Sequence, residues 1–100
     1  MEVLDRNGSV LLRLSGDEVK NWKGQVLARI EGEGLRNAQG QELAAHRDGR
    51  VVLTGGAAVG VDGDRILGSD GSTLATLAAA GEAPPHERDL LAAAFLLFFT

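Results

Sequence analysis

The sequence contains no cysteine, so it can form no disulfide bond and no thiolate metal site. Its only imidazole groups are His46 and His86, and no further ligands stand in register with them. No Ser–His–Asp arrangement can be assembled from the spacing of these residues. We therefore expect no metal, no cofactor and no catalytic residue, and we predict that the protein is not an enzyme.

Basic residues are also few, since ten lysines and arginines stand against fourteen acidic residues and give a formal net charge of −4. This balance argues against nucleic-acid binding. Residues 1–6 have neither a basic n-region nor an apolar h-region, so we expect no secretory signal. Together with the absence of cysteine, this favours a cytoplasmic protein.

Two further stretches are best interpreted as turns. The glycine-rich residues 55–60 lack the Lys-Ser/Thr pair that a phosphate-binding loop requires, and no helix is predicted after them. Asp62, Asp64 and Asp70 are carboxylates of the type that bind calcium, but their spacing matches no EF-hand loop. Asp-Gly pairs also favour turns in their own right, and we therefore predict no metal site.

What the sequence does contain is a repeat of about sixteen residues, marked by glycine at positions 8, 24, 40, 56 and 71. Each glycine has one apolar residue five positions before it and another three positions after it. The earlier series is Val3, Val19, Leu35, Val51 and Ile66, and the later series is Leu11, Leu27, Leu43, Val59 and Leu74. Three positions before the glycine, the first three units carry Asp5, Asn21 and Asn37.

A unit of this length suits two strands of about five residues and two turns. Asp or Asn favours the first position of a type I turn, and Gly can take the left-handed position of a bulged hairpin loop. This register places Val3 opposite Leu11. We expect the fourth and fifth units to turn differently, because Leu53 and Gly68 replace the Asp or Asn.

The position after the later apolar residue is small in four of the five units, which leaves room for another part of the chain to approach. Its occupants are Leu12, Ala28, Ala44, Gly60 and Ala75.

The last stretch of the chain predicts a helix over residues 85–100. Pro85 suits the first helical position, and Glu87 and Asp89 suit the positive end of the helix dipole. Residues 90–99 are all apolar, and a helix that is apolar on every side is buried in protein or in lipid. Ten residues are too few to span a bilayer, which needs about 20. We therefore predict that protein surrounds this helix.

Ten short strands need their edges protected, and closure into a barrel removes the edges. Ten strands give a wall of radius about 10 Å, which fits around a helix about 10–12 Å across. The predicted fold is therefore a single all-β domain with one C-terminal helix. Five hairpin repeats over 1–80 and a linker at 81–84 precede a core helix at 85–100, and the hairpins close into an antiparallel barrel around it.

This pattern resembles the tubby-like barrels, which include the LURP-one-related proteins and the phospholipid scramblases. Residues 3–14 resemble their hairpins, and residues 88–97 resemble their central helix. The resemblance implies a barrel around a helix and a role in binding lipid or protein. The pattern is also similar to the bacterial β-flower domains, which have related turn glycines in four units. That likeness implies a structural module that self-associates through apolar surface.

The predicted binding surface is a group of basic residues around the single tryptophan: Lys20, Trp22, Lys23, Arg29 and Arg36. Basic side chains with an amphipathic aromatic residue are typical of sites for anionic lipid headgroups. A protein partner is the other candidate for this surface. The simpler interpretation is a solvated hairpin with an exposed tryptophan in its turn.

Overall fold

The computed structural model describes residues 1–47, 50–68, 70–78 and 85–99. Within them, ten β-strands precede one α-helix. The strands are β1 Glu2–Leu4, β2 Val10–Ser15, β3 Glu18–Asn21, β4 Val26–Glu31, β5 Gly34–Arg36, β6 Glu42–Arg47, β7 Arg50–Leu53, β8 Gly60–Asp62, β9 Arg65–Leu67 and β10 Thr73–Ala78, and the helix is α1 Pro85–Phe99. The predicted linker at 81–84 and the last residue of the predicted helix, Thr100, lie outside the described residues.

The strands form one antiparallel sheet in the order β7-β6-β5-β4-β3-β2-β1-β10-β9-β8. Most neighbours in this order are also neighbours in sequence, and the pairing of β1 with β10 joins the first and last strands, with Val3 opposite Leu77. The prediction of a mostly β protein with one C-terminal helix is confirmed.

The predicted closure of the barrel is wrong, because the sheet is curled but open between β7 and β8. Among the described residues, an isolated bridge between Val52 and Ala58 joins the two sides, together with a hydrogen bond from Val59 N to Val51 O of 3.0 Å. Residues 55–60 are glycine, alanine and one valine, and such residues offer few of the cross-strand side-chain contacts that stabilise a sheet. The weakest hairpin thus coincides with the opening.

The turns that contain the repeat glycines share one backbone geometry. In the first, Gly8 N donates to Asp5 O at 3.1 Å and Asp5 N donates to Ser9 O at 2.9 Å. The same two bonds occur in the turns at 21–25, 37–41, 53–57 and 68–72, and the glycines have φ between 82° and 96°. The expectation that units four and five turn differently is therefore wrong, since the left-handed glycine is enough to set this turn. That the five units form a structural repeat stays a prediction.

A second series of turns was not identified from the sequence. Gly16, Gly32 and Gly63, with φ of 61° to 63°, each begin a two-residue connection between neighbouring strands. Because consecutive strands run antiparallel, these turns lie at one end of the sheet and the turns of the first series lie at the other. We call these the short-turn end and the long-turn end.

The strand register differs by one residue from the prediction. Val3 lies opposite Leu12, and Val19 lies opposite Ala28, because the register shifts at a bulge just after each long turn. Leu11 is the extra residue of the first bulge, since its neighbours Val10 and Leu12 pair with successive residues of β1. The small residues Ala28, Ala44 and Ala75 therefore face inward, opposite Val19, Leu35 and Ile66 of the first apolar series.

The core lies between this inward face and the helix. Strand alanines at 28, 44 and 75 are at most 2% exposed, and residues 90–95 of α1 are at most 5% exposed. The helix packs chiefly against β6 and β7 and also contacts β1, β2, β4 and β5. Small strand side chains leave room for the helix. The prediction that the helix lies in the core, enclosed by the sheet, is therefore confirmed for residues 90–95.

The end of the helix is not enclosed, which corrects the prediction of a protein wall around the whole stretch. Leu97, Phe98 and Phe99 are 37%, 40% and 37% exposed. Fifteen helical residues extend about 22 Å, whereas strands of three to six residues extend about 10–20 Å, so the last turn projects from the sheet. In the described part of the chain, no helix is long and apolar enough to cross a membrane.

Candidate functional site

A pocket of about 320 Å³ lies on the outer face of β2 and β3, beside the long turn at residues 21–24. Three of the five predicted binding residues line it: Lys20, Trp22 and Lys23. The complete lining, which we call the basic pocket, is Val10, Arg13, Lys20, Asn21, Trp22, Lys23 and Gly24. Its volume is at the lower end of the range for small-ligand sites.

Strand pairing brings two cations of the pocket, Arg13 and Lys20, together. The short turn at 16–17 connects β2 to β3 and places Arg13 directly opposite Lys20. Residues opposite each other on one face of an antiparallel pair have Cβ atoms about 5 Å apart. Arg13 was not predicted as a site residue, although the Gly-Asp pair at 16–17 is a hairpin signal that would have revealed this pairing.

The long turn fixes the position of Trp22 and Lys23. The Oδ1 atom of Asn21 accepts hydrogen bonds from Lys23 N at 2.9 Å and from Gln25 N at 3.0 Å. The Nδ2 atom of Asn21 donates to Gln25 Oε1 at 2.9 Å. The side chains of Trp22 and Lys23 consequently point outward from a backbone that these hydrogen bonds hold in place. Trp22 is 63% exposed, and the ammonium group of Lys23 lies 4.8 Å from the centre of its ring, which is a cation–π contact.

The positive charges of the pocket are only partly neutralised. Arg13 forms an ion pair with Glu2 at 2.6 Å, and Lys20 lies 3.8 Å from Glu18. Lys23 has no ion pair within the described residues. Exposed ion pairs of this kind contribute at most about 1 kcal/mol, so a bound anion can compete with them for the same cations.

The other two predicted residues lie outside the pocket. Arg29 pairs with Glu18 at 3.0 Å. Arg36 donates to the carbonyl oxygen of Gly40 at 2.9 Å and lies 3.3 Å from Glu31. Each of these guanidinium groups is engaged by partners close to it on the sheet. The structure therefore brings together Lys20, Trp22 and Lys23 and adds Arg13, while Arg29 and Arg36 stay apart.

The histidines meet at the opposite end of the molecule. His46 is a half-buried residue of β6, and its ring centre lies 6.3 Å from that of His86 in the first turn of α1. Among the residues that the structure describes, no group of three His, Cys, Asp or Glu side chains is placed to hold a metal ion.

Two of the aspartates considered for calcium, Asp62 and Asp70, are engaged within their own turns. Asp62 pairs with Arg65 at 2.9 Å. Asp70 accepts hydrogen bonds from the Ser72 hydroxyl at 2.7 Å and from Ser72 N at 3.0 Å, and these bonds lower the pKa of its carboxyl group. The residues therefore act as turn residues in the structure.

Comparisons of the chain with models of protein families, with curated proteins and with solved structures found no match. The basic pocket is therefore the feature of this protein that indicates a function. It combines cationic side chains with an exposed aromatic ring. This arrangement can bind an anionic group that carries an apolar part.

Proposed function

We propose that this protein is a non-catalytic binding module whose basic pocket takes the anionic headgroup of a membrane lipid. The observation that carries the proposal is the convergence of Arg13, Lys20 and Lys23 around the exposed ring of Trp22. The phosphate oxygens of a headgroup would accept hydrogen bonds from the cations, and the indole ring would lie at the boundary between headgroups and acyl chains.

The expected affinity is modest. A basic residue near an anionic leaflet contributes about 1 kcal/mol, so three such residues give weak and salt-sensitive binding. Anionic lipids are concentrated in the cytoplasmic leaflet, which agrees with the cytoplasmic location that the sequence favours. Membrane recruitment would thus be reversible and would depend on lipid composition.

We also propose that the protein is related to the tubby-like barrels and that its five units form a true structural repeat. Two features support this: an antiparallel sheet curls around a C-terminal helix, and the same pair of backbone hydrogen bonds recurs in every long turn. The open side between β7 and β8 is a departure from a closed barrel.

Flotation with lipid vesicles tests the proposed function. We expect the protein to float with vesicles that contain phosphatidylserine and not with vesicles of phosphatidylcholine alone, and we expect salt to weaken the binding. Trp22 is the only tryptophan, so its emission reports on the pocket without a label. A shift to shorter wavelength with the anionic vesicles is expected.

A matched pair of double variants shows whether the basic pocket is responsible for binding to the vesicles. Lys20→Gln with Lys23→Gln should reduce vesicle affinity by about twentyfold or more, since each lost charge weakens binding about fivefold. Arg47→Gln with Arg50→Gln removes the same charge at the short-turn end and should change the affinity little. Equal losses in both double variants would show that binding follows net charge only, and the pocket would have no role.

A second candidate function is assembly through apolar surface, and the exposed end of α1 favours it. Leu97, Phe98 and Phe99 expose more apolar area than single surface residues usually do. Light scattering at micromolar concentration tests this alternative. A dimer that dissociates when Phe98 is changed to Ser would support it, and a monomer would exclude it at that concentration.

A further inference from the structure

We propose that the exposed end of α1 inserts into the membrane, so that the whole long-turn end of the molecule is its membrane face. This inference rests on the proposed function, because it takes the anionic membrane as the surface that the basic pocket binds. It adds a second, apolar element of the binding surface and fixes the orientation of the protein on the bilayer.

The first observation is an apolar cluster at the long-turn end. Leu97, Phe98 and Phe99 project from the last turn of the helix. Around the helix stand partly buried side chains of the second apolar series of the repeat, which follow the long turns directly: Leu11, Leu27, Leu43, Val59 and Leu74. The exposed end is therefore the continuation of the core, with apolar neighbours at its base.

The second observation is the direction of the exposed rings. Leu96 lines a hollow with Gly68 and Leu74 on the side of β8 to β10, and Leu97 lines another with Leu43 and Leu53 on the side of β6 and β7. Successive residues of an α-helix are about 100° apart. Phe98 and Phe99 consequently point to the remaining arc, where the long turn at 21–24 carries Trp22.

The third observation is the separation of charge between the two ends. Each described short turn carries an acidic residue, at Asp17, Glu33 and Asp64, and the helix starts beside them with Glu87. The long turns carry the cations Arg6 and Lys23. Their acidic residues, Asp5 and Asp70, accept hydrogen bonds from backbone N–H groups of their own turns. Arg47 and Arg50 also lie at the short-turn end, so the difference between the ends is confined to the turns themselves. An anionic surface would meet the cations Arg6 and Lys23 in the long turns and carboxylates in the described short turns.

These charges and the small apolar area favour a membrane over a second copy of the chain. A stable dimer buries about 800 Å² on each partner, which three partly exposed side chains do not supply. Joining two long-turn ends would also bring Lys23 and Arg6 of both copies close together. A bilayer needs only a short apolar insertion, and it attracts the same cations.

Single-cysteine labelling tests the orientation of the protein on the bilayer. Because the chain has no cysteine, each introduced cysteine is the only site that the label can modify. Phe99→Cys and Asp64→Cys each receive an environment-sensitive nitrobenzoxadiazole fluorophore, one at each end of the molecule. With vesicles containing phosphatidylserine, we expect a blue shift and stronger emission from position 99 and no change from position 64. Acyl-chain quenchers should reduce the emission from position 99 only.

A substitution confirms that the apolar end contributes to affinity. Phe98→Ser should weaken vesicle binding by roughly fivefold, because it removes an aromatic ring whose exposed part would leave water on insertion. Val52→Ser is the control, since Val52 is a partly buried valine of β7 that alternates with the buried Val51 and lies away from the basic pocket. It should change the binding much less. Circular dichroism and thermal unfolding of each variant show that the fold is retained.

The outcomes separate this inference from the proposed function. Flotation with no change at position 99 would overturn the insertion and leave headgroup binding in place. Absence of flotation would remove both. A blue shift at position 99 without vesicles, together with dimers in light scattering, would assign the helix end to a second copy of the chain and overturn the membrane assignment.

Discussion

At the scale of single residues, a glycine with positive φ decides each long turn. The pattern of Asp or Asn followed by Gly predicted the first three of these turns, because few residues other than Gly adopt that conformation without strain. It did not predict the fourth and fifth, where Leu53 and Gly68 replace the Asp or Asn. The register could not be predicted in the same way. Leu11 and Leu12 are both apolar, so the apolar pattern does not show which of them is the extra residue of the bulge and which faces Val3.

Gly24→Ala tests the role of the glycine. Gly24 has φ of 84°, and a Cβ atom there would meet no other atom within 4 Å, so the cost is conformational only. We expect a loss of about 1–2 kcal/mol in the free energy of unfolding, measured by urea denaturation. Gly55→Ala is the control, because Gly55 lies in an equivalent turn with equal space but without positive φ. It should be neutral or slightly stabilising, and a similar loss in both variants would contradict this interpretation.

The residues that we propose to bind lipid show the same limit of sequence-based reasoning. Lys20, Trp22 and Lys23 were predictable because they are adjacent in one hairpin. Arg13 joins them through strand pairing, which the apolar pattern alone does not reveal. Arg29 has the right charge, but it does not line the pocket, and it pairs with Glu18 across the sheet. Composition therefore identified the type of surface, and pairing across strands determined which residues belong to it.

At the scale of elements, the helix and the strands fit because both carry alanine at buried positions, at 28, 44 and 75 in the strands and at 92–94 in the helix. The sequence predicted the helix through its proline, its acidic first turn and its apolar length. The exposed end was missed because it depends on the lengths of the strands, and bulges and turns shorten these below what the repeat length implies. One helix thus contains a buried segment and an exposed segment of the same composition.

Leu91→Ala and Leu97→Ala compare the two segments with the same chemical change. Leu91 is fully buried, so its truncation should leave a cavity and lower the free energy of unfolding by about 2–5 kcal/mol. Leu97 is 37% exposed, and its truncation should change stability by about 0.5 kcal/mol or less. Thermal and urea unfolding of both variants provide the measurement. A large loss at Leu97 would mean that the end of the helix is covered in solution.

At the scale of the whole molecule, the sheet depends on the helix because its edges do not close on each other. The antiparallel strand content could be predicted from the repeat, since every unit has two apolar positions and a turn. The opening of the sheet could not be predicted, because residues 55–60 also fit an ordinary hairpin. It arises from the weak pairing of β7 with β8. With this opening, α1 is the described element that covers the inward side chains of the strands.

Two truncations test this dependence. Ending the chain after Asp89 removes the segment from Leu90 to Phe95, which is at most 5% exposed. Each large side chain of that segment contributes about 1.5–3 kcal/mol on burial, and the inner strand residues lose their cover as well. Because domains of this size are stable by about 5–15 kcal/mol, we expect the cooperative melting transition to disappear. Ending the chain after Leu96 removes only the exposed end, so the transition should persist while vesicle binding weakens. A cooperative transition in the shorter chain would show that the sheet holds its shape without the helix, and the alanines that face the helix would then need another explanation.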